Sequence, residues 1–242
     1  MMTNPILDIK HLSKFWYGQP CVKDLCLTIM PGEVIGLLGP NGAGKTTAFY
    51  MIIGLVRPDG GQVFFLDEEI TGKPVYQRAK MGMGYLAQEP SIFRGLTVEQ
   101  NILCILETLP ITKQERKRRL ESLLQELHLE KLAKKKALSL SGGERRRLEI
   151  TRALATRPRL ILLDEPLANI DPITIEDLKE IIRHLKAKGI SILITDHNAR
   201  EIFSIVERSY LIQDGSVIVS GTKEQLLSCE KAIDSYFGTH FL

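Results

Sequence analysis

Gly39-Pro40-Asn41-Gly42-Ala43-Gly44-Lys45-Thr46 is the stretch whose reading decides the fold. It fills every fixed position of a phosphate loop, a glycine-rich turn closed by Lys and Thr. Upstream, Glu33-Val34-Ile35-Gly36-Leu37-Leu38 is a short apolar run that reads as a buried parallel strand, and Thr46 to Ile53 reads as a helix. The glycines therefore fall on a strand-to-helix turn. There Gly39, Gly42 and Gly44 let backbone N–H groups approach phosphate oxygens at the positive end of the helix, with Pro40, Asn41 and Ala43 between them. Lys45 is placed to reach the β and γ phosphates of a nucleotide and the Thr46 hydroxyl to ligate Mg²⁺, while Thr47 caps the helix or touches the α phosphate.

Arg159-Leu160-Ile161-Leu162-Leu163-Asp164-Glu165 reads as a second buried strand, ending in two carboxylates. In a phosphate-loop protein, Asp164 then holds Mg²⁺ and Glu165 polarises the attacking water. Ile190 to Ile194 is a third apolar strand, preceded by a helix over Thr174 to Lys188 that Gly189 closes. Parallel strands alternating with helices give an α/β core of the phosphate-loop NTPase, RecA-like class. The first thirty or so residues and Gly61 to Ile70 read as short strands, and Tyr210 to Gly221 as a hairpin turning at Asp214-Gly215. Thr97 to Leu109 and Lys113 to Leu129 read as helices separated by Pro110, the second carrying Leu120, Leu123, Leu124 and Leu127 at helical spacing.

Leu140-Ser141-Gly142-Gly143-Glu144 is a second glycine-rich anion site. A small hydroxyl and unhindered amides at a helix start suit a phosphate, and Ser141 with Glu144 three residues on also reads as a capping box. The two readings coexist. With this segment the chain resembles the ATP-binding cassette family over nearly its whole length. The resemblance implies an antiparallel β subdomain over the nucleotide base and a helical subdomain inserted at about residues 89–139 of a single domain spanning 1–242. It also implies that Ser141, Gly142 and Gly143 bind the γ phosphate held by the other subunit, so the working unit is a homodimer with ATP and Mg²⁺ between its halves.

The family's further elements fall on Gln88, which reaches Mg²⁺ and the attacking water, on His197, the switch histidine, and on Asp171 in the segment Ala168-Asn169-Ile170-Asp171 that crosses the dimer interface. That segment departs from the commoner Ser-Ala-Leu-Asp in carrying Asn169 and Ile170. Adenine stacks on an aromatic side chain near the N-terminus. Family spacing back from Lys23-Asp24 favours Trp16, and the Tyr-Gly pair favours Tyr17. Phe93 and Arg94 fall where relatives form a groove for the coupling helices of two membrane-spanning permease subunits. An aromatic anchor beside an arginine suits such a contact, although internal packing of Phe93 with a solvated Arg94 fits the sequence too.

Within the family, several runs look like the ATPase subunits of bacterial lipopolysaccharide exporters: Thr46 to Ile52, Gly84 to Arg94 through Gln88-Glu89-Pro90, Leu138 to Arg147, Ile194 to Asn198, and the tail Tyr236-Phe237-Gly238 with Phe241-Leu242. The implied function is ATP hydrolysis that powers extraction of lipopolysaccharide from the inner membrane, at its cytoplasmic face. A branched-chain amino acid importer ATPase shares much of this equipment. A chromosome or repair ATPase of the superfamily needs a long coiled coil between Gln88 and Leu140, for which the chain has no room.

The 242 residues, 44% hydrophobic, are enough for one buried α/β core with a smaller insert. No run approaches the roughly 18 apolar residues of a membrane span, so membrane attachment is expected through partners. A net charge of +3 with 25% charged residues does not point to nucleic acid. The clusters Lys113 to Arg119, Lys134 to Lys136 and Arg145 to Arg147 read as solvated helix faces. Cys21, Cys26, Cys104 and Cys229 have no metal-type spacing and read as free thiols.

Overall fold

A computed structural model of the chain describes residues 4–89, 91–168 and 170–238. Pro90, Asn169 and the Phe241-Leu242 end of the tail lie outside the described residues. Strands β1 (Leu7–Trp16) and β2 (Gln19–Ile29) pair antiparallel around the turn Tyr17-Gly18. The strand β3 (Val34–Leu38) feeds the phosphate loop and α1 (Lys45–Ile53). Next come β4 (Gly60–Phe65), β5 (Glu68–Glu69), α2 (Val75–Lys80) and β6 (Met83–Leu86). Helices α3 (Val98–Leu106) and α4 (Lys113–Glu126) follow, then α5 (Gly142–Leu154), β7 (Leu160–Asp164), α6 (Pro172–Ala187) and β8 (Ser191–Thr195). The chain closes with α7 (Ala199–Phe203), the hairpin β9 (Arg208–Gln213) and β10 (Ser216–Gly221), α8 (Lys223–Leu227) and short helical turns to Phe237.

The strands form two sheets. One is antiparallel in the order β2-β1-β4-β5; the other runs β10-β9-β3-β8-β7-β6, parallel except for the edge strand β10. The expected α/β core with an antiparallel β layer and inserted helices is therefore present. Among the described residues no helix is long and apolar enough to cross a membrane.

The central strands read as unbroken apolar runs because both faces are covered, yet their period of two is preserved in what each side chain meets. Ile35, Leu37, Leu160, Leu162 and Leu193 enter the core shared with α1 and the antiparallel sheet. Their neighbours Val34, Leu38, Ile161, Leu163, Ile192 and Ile194 enter the opposite core with α5, α6 and the inserted helices. Each such side chain contributes roughly 1.5–3 kcal/mol by leaving water. A register slip of one residue would exchange the two cores wholesale.

Element ends differ from expectation where local chemistry intervenes. Helix α3 stops at Leu106 rather than Leu109: beyond it the Thr108 and Leu109 amides close on the Ile105 and Leu106 carbonyls, three residues back, as the chain tightens ahead of Pro110. Helix α4 ends at Glu126, three residues early, because His128 adopts a left-handed backbone and the Leu129 amide returns to the Leu124 carbonyl. Helix α6 begins at Pro172, two residues before expected, with Asp171 as its cap and Pro172 at the first position. The opening strands are long rather than short, because β1 and β2 stay paired through several bulges.

Candidate functional site

One line across the parallel sheet explains how distant residues meet. Gly36 of β3 pairs with Ile194 of β8, Ile194 with Leu163 of β7, and Leu163 with Leu86 of β6. Parallel strands share a direction, so the residues just beyond this line emerge at one edge: the phosphate loop, Asp196-His197, Asp164-Glu165 and Gln88. This is the carboxyl edge at which open α/β sheets carry their ligands.

The loop is shaped by backbone that only glycine supplies. Gly39 and Gly44 have φ of 154° and 102°, and a Cβ on them would lie 2.2 Å from the Ile212 carbonyl oxygen and 2.6 Å from that of Cys21. Lys45 folds back, its Nζ donating to the carbonyls of Gly39 (2.8 Å) and Pro40 (2.9 Å). Burial pulls its ammonium below the ordinary lysine range, and the charges of Glu165, Asp164 and Asp196 pull it back up. Thr47 accepts a hydrogen bond from the Cys21 thiol at 3.3 Å.

Glu165 stands at the centre. Its backbone φ is +46°, a left-handed conformation unusual for a side-chain-bearing residue, and its N–H donates to Thr195 O. One carboxylate oxygen accepts from Gln88 Nε2 and the other lies against His197 Nε2, both at 2.6 Å. Gln88, Glu165 and His197, separated widely in sequence, are thus brought together.

Two residues whose roles the sequence did not disclose complete the centre. Tyr85 donates its hydroxyl to Asp164 Oδ2 at 3.1 Å, and desolvation with the nearby Asp164 charge pushes the phenol well above its ordinary range. Asp196, itself buried, accepts from the backbone N–H groups of Leu167 (2.8 Å) and Asn198 (3.0 Å), tying the loop after β7 to the one after β8. The only available signal for Tyr85 was its place on β6, one strand over from Asp164.

Asp164 is almost fully buried, and its Oδ1 has no hydrogen-bond partner among the described residues. Desolvation holds its carboxyl above the usual range, Glu165 adds to this, and the Tyr85 hydrogen bond, Lys45 and His197 oppose it. An acid whose pKa is raised by folding stabilises below its unfolded pKa, and that contribution is lost as pH rises through the folded value. Asp164→Asn is therefore expected to raise the melting midpoint at pH 7 without nucleotide or metal. The rise should be about 2–4 °C per kcal/mol relieved, shrinking in acid. An equal or lower midpoint at pH 7 in thermal melts would reject this.

Ser141 begins α5 as a full capping box: its hydroxyl accepts from Glu144 N and its N–H donates to Glu144 Oε2 at 2.8 Å. Gly142 shares with Gln88, Glu165 and Ala168 the wall of a cavity of about 320 Å³, to which no residue of the phosphate loop contributes. A larger cavity, about 530 Å³, lies between α4 and the core near Glu115 and Arg157, away from this centre. Leu140 is buried beneath the helix start and Gly143 lies against Thr174. Asp171 spends its carboxylate on capping α6, accepting from Ile173 N, Thr174 N and the Thr174 hydroxyl.

The aromatic candidates remain at the surface. Trp16 is half exposed, with Lys14 Nζ 5.0 Å from its ring centre, and Tyr17 is fully exposed on the turn. Phe93 is 49% exposed, so about half of its side chain is open to solvent. Buried Asn101 clamps its backbone in both directions, and the Arg152 guanidinium lies 4.8 Å from its ring. Arg94 is exposed, and its carbonyl accepts from the N–H of Leu138, which like Phe93 is an exposed apolar residue.

Residues 22–168 match the family described as ABC transporter. The chain belongs to the ABC transporter family. It is 50% identical, over 98% of both chains, to the lipopolysaccharide export system ATP-binding protein LptB of Acidithiobacillus ferridurans. Among solved structures it resembles the ADP conformation of MJ1267, an ATP-binding cassette of an ABC transporter, with a TM-score of 0.88 at 30% identity over 98% of this chain and all of the other. It also resembles the dimeric post-hydrolysis state of the cassette MJ0796 bound to ADP and Pi, with a TM-score of 0.78 at 26% identity over 89% and 98% of the two chains. This ABC protein is an ATPase of that family, and its fold is the family's cassette.

Proposed function

We propose that this ABC ATPase hydrolyses ATP as a homodimer to power extraction of lipopolysaccharide from the inner membrane through two permease subunits. The observation that carries the chemistry is the grip of Gln88 and His197 on Glu165, beside Asp164 and Lys45. The cargo rests on the 50% identity to an exporter subunit over almost the full length of both chains.

Glu165 is the base: its carboxylate takes a proton from water as the water oxygen bonds to the γ phosphorus and the bond to the β-phosphate oxygen breaks, releasing ADP and phosphate. Gln88 and His197 orient that water and the γ phosphate. Lys45 and the amides of Gly42 to Thr47 hold the β and γ phosphates, with adenine against Trp16 or, failing it, Tyr17. Asp164, Thr46 and Gln88 are the residues to hold Mg²⁺, which when bound supplies charge neutralisation on the phosphates. The orphaned, buried Asp164 Oδ1 fits a cation ligand. Ser141, Gly142 and Gly143 cover the γ phosphate of the facing subunit, with Leu140 and Glu144 fixing the helix start. Asp171 and exposed Ile173 lie on the facing surface.

The helical stretch at about residues 89–139 presents Phe93, Arg94 and Leu138 to a permease coupling helix. Phe93→Ala should weaken co-purification with the membrane subunits about tenfold or more while ATP affinity stays unchanged; full recovery of the complex would move the contact elsewhere. For the cargo, the tagged protein is pulled from detergent-solubilised membranes and the complex placed in vesicles carrying lipopolysaccharide. ATP with Mg²⁺ should release lipopolysaccharide to an acceptor. Capture of an amino acid permease instead would support the importer reading.

A further inference from the structure

We infer that His11, Asp24 and Cys26 form a surface site for a soft divalent cation of the zinc class, pinned between β1 and β2. The three ligand atoms, a ring nitrogen, a carboxylate oxygen and a sulfur, lie within 4.8 Å of one another. Nδ1 of His11 is 2.6 Å from Asp24 Oδ1 and 3.8 Å from Cys26 Sγ.

The backbone places them there. On β2, Leu25 and Leu27 point into the core, so Asp24 and Cys26 share the outer face. Register shifts on either side of the Leu12–Leu25 pair bulge the two strands, and His11 and Asp24 take left-handed φ values of 54° and 51°. The β1 bulge turns His11 onto the face that carries the other two. The His11 N–H donates to Cys26 Sγ at 3.3 Å, and the Ser13 hydroxyl links His11 O to Asp24 N. The ligands thus sit on paired strands rather than a loose loop, a preorganised arrangement.

An ordinary His–Asp surface pair would leave the thiol unexplained. Here the sulfur accepts the His11 main-chain N–H at 3.3 Å and lies 3.8 Å from the His11 ring nitrogen, facing the other two ligand atoms. A tetrahedral zinc ion with bonds of about 2.0–2.3 Å sets its nitrogen and oxygen ligands roughly 3.3 Å apart and its nitrogen and sulfur roughly 3.6 Å apart. The nitrogen–sulfur separation already suits this, and the nitrogen–oxygen contact opens by a small rotation of two side chains that are about three-quarters exposed. Water completes the fourth position. Cys26 releases its proton to solvent on binding, so thiolate, carboxylate and neutral imidazole balance the 2+ charge. Sulfur and nitrogen ligands select zinc-like ions over Mg²⁺ and Ca²⁺, which take oxygen, so the site does not compete for the nucleotide's cation.

The test titrates Co²⁺ into the full chain without nucleotide or Mg²⁺. One equivalent should raise a thiolate-to-cobalt charge-transfer band that Zn²⁺ then abolishes by displacement. Cys26→Ser should eliminate the band, whereas Cys21→Ser, Cys104→Ser and Cys229→Ser keep it. His11→Asn and Asp24→Asn, chosen because Asn tolerates the left-handed backbone, should each weaken Zn²⁺ binding at least tenfold by calorimetry. Absence of the band, its survival in Cys26→Ser, or affinity indifferent to both Asn variants overturns the assignment.

Discussion

Glu165→Gln is expected to lower ATP turnover by about 10²–10⁴-fold while leaving ATP binding intact. The amide keeps the shape of the carboxylate, and its oxygen still accepts from Gln88 or His197, so the loop need not move. What disappears is the proton acceptor. In the present arrangement both carboxylate oxygens are engaged, one by Gln88 and one by His197 at 2.6 Å. Each oxygen keeps a further lone pair for a water, so the two partners fix the direction of the base without occupying it, and both are on loops that a γ phosphate would also engage. In the variant, ATP persists and so do the contacts that depend on its γ phosphate, which favours the closed pair of subunits. Size-exclusion chromatography with ATP and Mg²⁺ should show a long-lived dimer that the parent protein loses as it turns over. Near-normal turnover in single-turnover assays would remove Glu165 from its assigned role.

Much of this centre was legible because its residues are bound to local signals. The phosphate loop announces itself by glycine spacing, and Asp164-Glu165 by standing at the end of an unbroken apolar strand. Ser141 and Glu144 carry a capping pattern that forms as written. The residues that escaped act across strands. Tyr85 reaches Asp164 only because β6 and β7 are parallel neighbours with Tyr85 beside Leu162, and strand order is not encoded in any short motif. Leu138 escaped because it stands between Ala137 and Leu140, both buried, and nothing in that short apolar run marks the one residue that faces out. The helix ends at Leu106 and Glu126 were misplaced for the opposite reason: the apolar pattern continues past them, while the backbone has already turned. The metal-type cluster at His11 was hidden by bulges, which shift register without marking the sequence.

Arg78→Leu is expected to destabilise the fold by roughly 3–5 kcal/mol, because buried backbone carbonyls left without a donor cost about 1–3 kcal/mol each. Arg78 is 1% exposed, the least anticipated of the large buried side chains. Its guanidinium donates to the carbonyls of Lys73 (2.8 Å), Met51 (2.8 Å), Ile52 (2.6 Å) and Thr71 (3.0 Å). Met51 and Ile52 are in the last turn of α1, where carbonyls lack partners within the helix and the dipole is negative. That turn carries no basic residue of its own, so the charge comes from α2. Burial draws the guanidinium down to about 10, which keeps it charged at physiological pH. Leucine matches much of the volume but leaves four acceptors without a donor, and water has little access to replace it. Since domain stabilities run about 5–15 kcal/mol, the denaturation midpoint in urea should fall by about a fifth or more at unchanged slope. Arg78→Lys should lie between, because a single ammonium has three donors and no planar fork. The order parent, Lys, Leu would tie the helix that follows the phosphate loop to this one side chain; equal midpoints for Leu and parent would show that α1 is held by its apolar face alone.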